Sequence, residues 1–325
     1  EREGRSAVPR TVSLLAAATE IVAAVGAGDE LVGVSHECDH PRAVVAGRPV
    51  LTSARVGPLP SSAEVDRSVR RLVGDALAVY DVDVDLLAAL APDVIVTQDL
   101  CRVCAVSVDD VRSAVAQLAH KAEVQLVSLH PRRLDDILDD VERVAAVLGR
   151  AGEGRRVVAG LRERIGHVRT MAAGAPERKV LAVEWIEPVM LGGLWMPELI
   201  ELAGAVPLGV AAGEPAPTVD RERLAELAPD VVVVKPCGFT VARTLEELPV
   251  LARTMPWEAW TRRGVRVYLA DGNAYFNRSG PRIVDSLELL AALVHPERFG
   301  EEAARFADAA VRVGPDLQVR FGIVG

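Results

Sequence analysis

The clearest periodicity in the chain lies between Pro131 and Ala172. Leu134, Ile137, Leu138, Val141, Val144, Ala145 and Leu148 recur at three- and four-residue steps, and Val157, Val158, Leu161, Ile165 and Val168 continue the pattern beyond Gly149. That spacing places apolar side chains on one face of a helix. The stretch therefore reads as helix, broken once at Gly149 and stopped by Gly174 and Pro176. At about 1.5 Å per residue, the helix from Gly152 to Ala172 reaches roughly 30 Å, the width of a small domain. It is long enough to link two domains.

An internal repeat flanks this helix. Residues 86 to 97 read LLAALAPDVIVT and residues 223 to 234 read RLAELAPDVVVV, an offset of 137 (224 minus 87). Each copy is a helix end, a Pro-Asp turn and a buried strand. Each is preceded by a short apolar strand (Thr11 to Leu15; Val180 to Glu184), a loop, and a helix ending near a glycine (Gly26; Gly204). The period is far too long for a solenoid and indicates a duplicated lobe. TVSLL, LVGVS, VIVTQ and VQLVSL read as strands of the first lobe, and VLAVE, VVVVK and VRVYLA as strands of the second. Helices alternate with them, one over SVDDVRSAVAQL with Ser107 and Asp110 at its cap, another from Pro281 to Leu293.

This alternation predicts an α/β chain: two Rossmann-like lobes with parallel sheets, joined by a single long helix, with a ligand cleft between the lobes. The expected division is a tail over 1–9, an N-terminal lobe over 10–149, a linker helix over 150–174, a C-terminal lobe over 175–298, and an extension over 299–325. That extension reads as an extra strand or a tail.

The chain has 325 residues, half of them hydrophobic, enough for two cores of ordinary size. A net charge of -9 with dispersed Lys and Arg argues against a nucleic-acid partner, which needs a basic patch. No apolar run reaches the roughly 18 residues that span a bilayer.

In open parallel sheets, ligands bind beyond the carboxyl ends of the strands. The candidate chemistry gathers there. LVGVS delivers His36, Glu37, Cys38, Asp39 and His40, and VIVTQ delivers Asp99, Cys101 and Cys104. VLAVE ends at Glu184 and leads to Trp185, Glu187 and Trp195; VVVVK leads to Cys237, Gly238 and Phe239. VRVYLA leads to Asp271, Asn273, Tyr275, Phe276, Asn277 and Arg278. All four cysteines, Cys38, Cys101, Cys104 and Cys237, thus follow strands. A thiolate-ligated metal ion held by these thiols with His36 fits that placement, and so do small buried thiols or one Cys101–Cys104 disulfide. Of twelve Phe, Trp and Tyr residues only Tyr80 precedes residue 184, so the stacking surface belongs to the second lobe. Trp185, Trp195, Phe239, Tyr275 and Phe276 are candidates to stack on a large flat ligand, whereas Trp257, Trp260 and Tyr268 read as core.

At these residues the chain resembles the vitamin B12-binding and iron-chelate-binding proteins of ABC importers, whose lobes are joined by one rigid helix. The motifs are TVSLLAAATEIVAAVGAGDELVGVSHECDHP, the paired APDV strands, and DGNAYFNRSGPRI before the last long helix; the resemblance spans roughly residues 10 to 295. The closing motif, with Asn273, Tyr275, Phe276, Asn277, Arg278 and Pro281, looks closest to the B12 binders. The resemblance implies capture of a cobalamin or another metal chelate by a monomer outside the cytoplasm, periplasmic or lipid-anchored. It places pocket residues at His36 to His40, Trp185, Trp195 and Asp271 to Arg278. It also implies that Asp85 and Glu222, one in each lobe, dock on arginines of the membrane permease. Asp85 stands where Glu is usual, and relatives generally lack the DLCRVC thiols.

The expectation is therefore a binding protein rather than an enzyme. The alternative is a cytoplasmic metal- or thiol-dependent protein on the same fold, motivated by the four cysteines and by an opening segment without a secretory pattern. A thiol enzyme with Cys38 or Cys101 as nucleophile and His36 as base is a third, weaker reading, since no local motif sets that geometry.

Overall fold

The computed structural model describes residues 8–56, 59–74, 80–98, 124–314 and 317–321. Asp99, Cys101, Cys104 and the helix expected over 107–118 lie outside the described residues. The chain forms two compact units: Glu1–Pro58, Ser68–Pro131 and Asp136–Ala159 in the first, Leu59–Arg67, Arg132–Asp135 and Gly160–Gly325 in the second.

The first unit is built on strands β1 (Thr11–Ser13), β2 (Leu31–Val34), β5 (Val94–Gln98) and β6 (Gln125–Leu129), in the order β2-β1-β5-β6, every neighbour parallel. Val12, Leu14, Leu51, Leu87 and Ile95 are buried together as its core. The sequence pattern missed the antiparallel pair β3 (Thr52–Ala54) and β4 (Tyr80–Val82). These strands are three residues each and are separated by the helix Ser62–Gly74, so no hairpin turn announces them.

In the second unit β7 (Lys179–Trp185), β10 (Val231–Val234) and β11 (Arg266–Ala270) run parallel. β8 (Met190–Leu191) and β9 (Val206–Pro207) pair with β7. The four valines of β10 have no exposed surface, as expected of a strand covered on both faces. The helix Ile283–Val294 is buried along nearly its whole length. The C-terminal extension is a short helix, Gly300–Arg305, followed by sheet: β12 (Ala310–Val313) pairs antiparallel with β11, and β13 (Val319–Phe321) pairs with β12. These strands cover the backbone edge of β11, which would otherwise be unpaired.

The repeat read from the sequence is also a repeat of hydrogen bonds. Asp83 caps its helix by accepting from the Leu86 amide at 2.8 Å, and Asp220 accepts from the Arg223 amide at 2.7 Å. Leu87 and Leu224 are both fully buried. The aspartate of each Pro-Asp turn accepts from the backbone at the start of the neighbouring strand, Arg10 to Asp93 at 2.8 Å and Lys179 to Asp230 at 2.7 Å. The backbone N–H groups of these aspartates donate back to Arg10 and Lys179 at 2.8 Å each. Gly26 and Gly204 close equivalent helices with the same pair of backbone bonds, such as Ala27 to Val22 at 2.9 Å and Ala205 to Ile200 at 3.1 Å.

The long periodic stretch forms two helices, Leu134–Val147 and Ala151–Ala172, with the break at Gly149. The boundary between units falls within the second helix, at Ala159 and Gly160. Two short segments that a division at residue 149 assigns to the first lobe group with the second unit, and each is held by a carboxylate at a helix start. Glu247, 1% exposed, accepts from the Ser62 amide at 3.1 Å and its hydroxyl at 2.8 Å. Glu198 accepts from the Leu134 amide at 2.8 Å and from Arg133 at 2.9 Å. A carboxylate is favoured there by the unpaired amides and dipole of a helix N-terminus.

His295 is fully buried between Arg178, 3.1 Å from its Nδ1, and the Gly204 carbonyl, 3.3 Å from its Nε2. Burial pushes its pKa below the usual imidazole range. The unfolded chain then takes up the proton first, so stability is lost as pH falls below the unfolded value of about 6.5. The melting temperature is expected to drop between about pH 7 and pH 5, with a shallower slope in His295→Gln, which does not titrate. Asp93→Ala and Asp230→Ala are each expected to lower unfolding free energy by about 1 kcal/mol in urea titrations. Asp→Asn, which keeps an acceptor oxygen, should lower it less.

Candidate functional site

Because β7, β10 and β11 are parallel neighbours, their carboxyl ends open onto one edge of the second sheet. The loops that follow are knitted by backbone bonds: Cys237 donates to the Glu184 carbonyl at 3.1 Å, and Gly272 to the Phe239 carbonyl at 2.9 Å. Approach is so close that a Cβ on Gly272 would lie 2.1 Å from the Pro236 carbonyl oxygen, a position only glycine can fill.

The aromatic candidates divide into two kinds. Trp185, half-buried, meets Phe239 edge-on with ring centroids 5.3 Å apart, and the Arg243 guanidinium lies 4.6 Å from the Phe239 centroid. The Trp185 indole N–H is buried with no hydrogen-bond partner among the described residues. Tyr275 is half-buried and meets Phe306 edge-on at 5.9 Å; burial foremost, then the Asp285 carboxylate, pushes its phenol pKa up, so it stays neutral. Phe276 and Trp195 depart from the expectation of ligand-facing rings. Phe276 has no exposed surface and sits at a left-handed φ of 66°, and Trp195 is 6% exposed. The Trp195 indole donates to the Phe276 carbonyl at 2.8 Å, while the Phe276 amide donates to the Ser286 hydroxyl at 2.8 Å. Both rings therefore brace the closing motif, and their indole or backbone groups are used inside the protein.

The polar candidates are similarly placed. Asp271 turns the loop by accepting from the Asn273 and Ala274 amides at 2.9 and 2.8 Å. Arg278, 9% exposed, donates to the Asn273 side chain at 3.3 Å. Glu184 accepts from Lys235 at 3.2 Å. Lys235, Arg243 and Ser286 were missed as site residues. For Lys235 a signal existed, a charged residue directly ending an apolar strand run.

In the first unit, the loop after β2 is organised by the β3–β4 pair. The His36 amide and Nδ1 lie 3.0 and 2.6 Å from the Thr52 hydroxyl, and the His36 ring meets Tyr80 edge-on at 4.9 Å. Tyr80 in turn donates to Glu37 at 2.7 Å. The Cys38 thiol, half-buried, lies 3.1 Å from the Thr19 hydroxyl on the helix Ala16–Ala24. Among the described residues, no group of three or more His, Cys, Asp or Glu is placed to hold a metal ion. Asp85 and Glu222 are exposed in the first turns of the two repeated helices, each two residues beyond its capping aspartate.

Aromatic side chains at the strand ends of a mixed α/β sheet mark a candidate ligand site. The chain belongs to the periplasmic binding protein family, whose model matches residues 12–259. It is a binding protein and not an enzyme. A vitamin B12-binding protein of Vibrio cholerae is 23% identical over 286 residues, 86% of each chain. The solved periplasmic vitamin B12-binding protein of Vibrio cholerae superimposes with a TM-score of 0.61 at 20% identity, covering 87% of this chain and 95% of that one. A periplasmic heme-binding protein from Pseudomonas aeruginosa gives a TM-score of 0.63 at 21% identity, covering 89% and 94%. At these identities the solved structures share the fold. Among the described residues no helix is long and apolar enough to cross a membrane.

Proposed function

We propose that this chain captures a flat metal chelate, a corrinoid in the first instance, and delivers it to an ABC permease outside the cytoplasm. The observation that carries the reading is the half-buried Trp185 with Phe239 and Arg243 at the carboxyl ends of β7 and β10. The half-buried Trp185 ring, braced edge-on by Phe239, offers a flat ligand apolar contact area at low entropic cost. Family membership and the B12- and heme-binding names of its relatives support that choice of ligand class. Tyr275, neutral and half-buried, adds apolar surface and one hydroxyl. Asp85 and Glu222 are the docking carboxylates, exposed at equivalent places in the two repeats.

The test is titration with cyanocobalamin and with hemin, read by tryptophan quenching and calorimetry. Saturable one-to-one binding of either is expected, weakened in Trp185→Ala by about 2 kcal/mol, roughly thirtyfold. Absence of binding at roughly millimolar ligand, a free energy of only about 4 kcal/mol, would overturn the reading. For docking, Asp85→Ala with Glu222→Ala should leave the titration unchanged and reduce uptake in a reconstituted transport assay. Unchanged uptake would remove the permease role.

A further inference from the structure

Lys235, just beyond the all-apolar β10, is 1% exposed, and its ammonium is bonded by two side chains from elsewhere in the second unit. Nζ donates to Glu184 Oε2, at the end of β7, at 3.2 Å and to Asn277 Oδ1, after β11, at 2.7 Å. Asn277 closes the circuit: its Nδ2 donates to the Lys235 carbonyl at 3.1 Å and to the Gly272 carbonyl at 2.8 Å. Glu184 reaches further, accepting from the Gly193 amide at 3.4 Å. One side chain thereby ties the end of β7, the glycine loop before Trp195, and the loop that carries Tyr275.

Stability alone does not call for this arrangement. Lys235 is buried while its Glu184 partner is 27% exposed, and an ion pair that buries a charge is commonly no more stabilising than apolar side chains of the same volume; the neighbouring strand residues are all valine. What a buried, hydrogen-bonded charge supplies is discrimination among arrangements, because any shift that separates it from its partners leaves an uncompensated charge. The geometry points to Lys235 as a positioning residue of the ligand site: through Glu184 and Asn277 it sets the spacing between Trp185 and Tyr275, without itself reaching the ligand. This rests on the capture reading above. It makes Lys235, a residue with almost no exposed surface, a determinant of affinity.

The experiment compares wild type, Lys235→Met, and the double variant Lys235→Met/Glu184→Gln, which also removes the carboxylate left without its cation. Amide hydrogen exchange is measured on the unliganded proteins, alongside melting temperature and affinity for cyanocobalamin and hemin. The expected result is a tenfold or greater rise in exchange at the loops 192–195 and 271–278, with the amides of β7, β10 and β11 unchanged. Affinity for whichever probe the wild type binds should fall at least tenfold. The double variant should regain melting temperature but not affinity, which a merely structural role would not produce. Uniformly faster exchange across the unit, unchanged loop exchange, or joint recovery of melting temperature and affinity would each overturn the proposal. If wild type binds neither probe, the corrinoid or heme reading falls, and the exchange pattern by itself decides whether Lys235 sets the loops.

Discussion

Parallel pairing of three short apolar strands is the constraint on which the second unit's chemistry depends. β7, β10 and β11 are held in register through consecutive residues, so their carboxyl ends emerge side by side. With both faces of β10 covered, none of its backbone groups can turn to water, and the ladder must be complete. Glu184, Lys235 and Asp271 then stand at or just beyond the ends of adjacent strands, close enough for side-chain bonds to cross between loops. The site is thus a consequence of strand alignment, and its polar members are spent first on holding the loops together.

That division of labour explains why the aromatic residues play unequal parts. The closing motif holds Phe276 in a left-handed conformation that a bulky residue adopts only when its surroundings compel it. Here both its amide and its carbonyl are tied, by Ser286 and by Trp195. Two large rings are consumed in fixing a bend, and the bend presents Tyr275. Trp185 is half-buried, whereas Phe239, expected to face a ligand, is only 8% exposed because the Trp185 ring and the Arg243 guanidinium cover it, and Arg243 also bonds the Leu59 and Pro60 carbonyls at 3.3 and 3.1 Å.

The duplication carries a similar lesson about economy. The same few residues recur at an offset of 137 (230 minus 93): a capping aspartate, a buried leucine, a turn aspartate that grips the adjoining strand. Each solves a local problem of unpaired backbone at a helix or strand end. The loops are where the copies diverge, with Thr52 and His36 gathered in the first unit and Trp185, Phe239, Tyr275 and Phe276 in the second.

Much of this was legible in the residues alone. Periodicity placed helix from Pro131 to Ala172 with its break at Gly149, and the paired APDV segments placed β5 and β10, because these signals depend only on which side chains must leave water. The edge of the sheet at which the candidate residues gather followed from strand order. Other features depended on partners distant in sequence. Strands of three residues such as β3 and β4 have no pattern until each finds the other. Segment 59–67 joins the second unit through Glu247, 185 positions beyond Ser62, and nothing local to either residue announces it. Whether a tryptophan faces a ligand or a neighbouring carbonyl is likewise undetermined by its place in a motif: Trp185 and Trp195 look alike in the sequence, and only the folded chain gives Trp195 the Phe276 carbonyl. The sequence by itself determined which segments are buried and how they repeat. The tertiary structure decided which of the loop residues are taken up by internal contacts, since that depends on meetings between chain segments that no local pattern encodes.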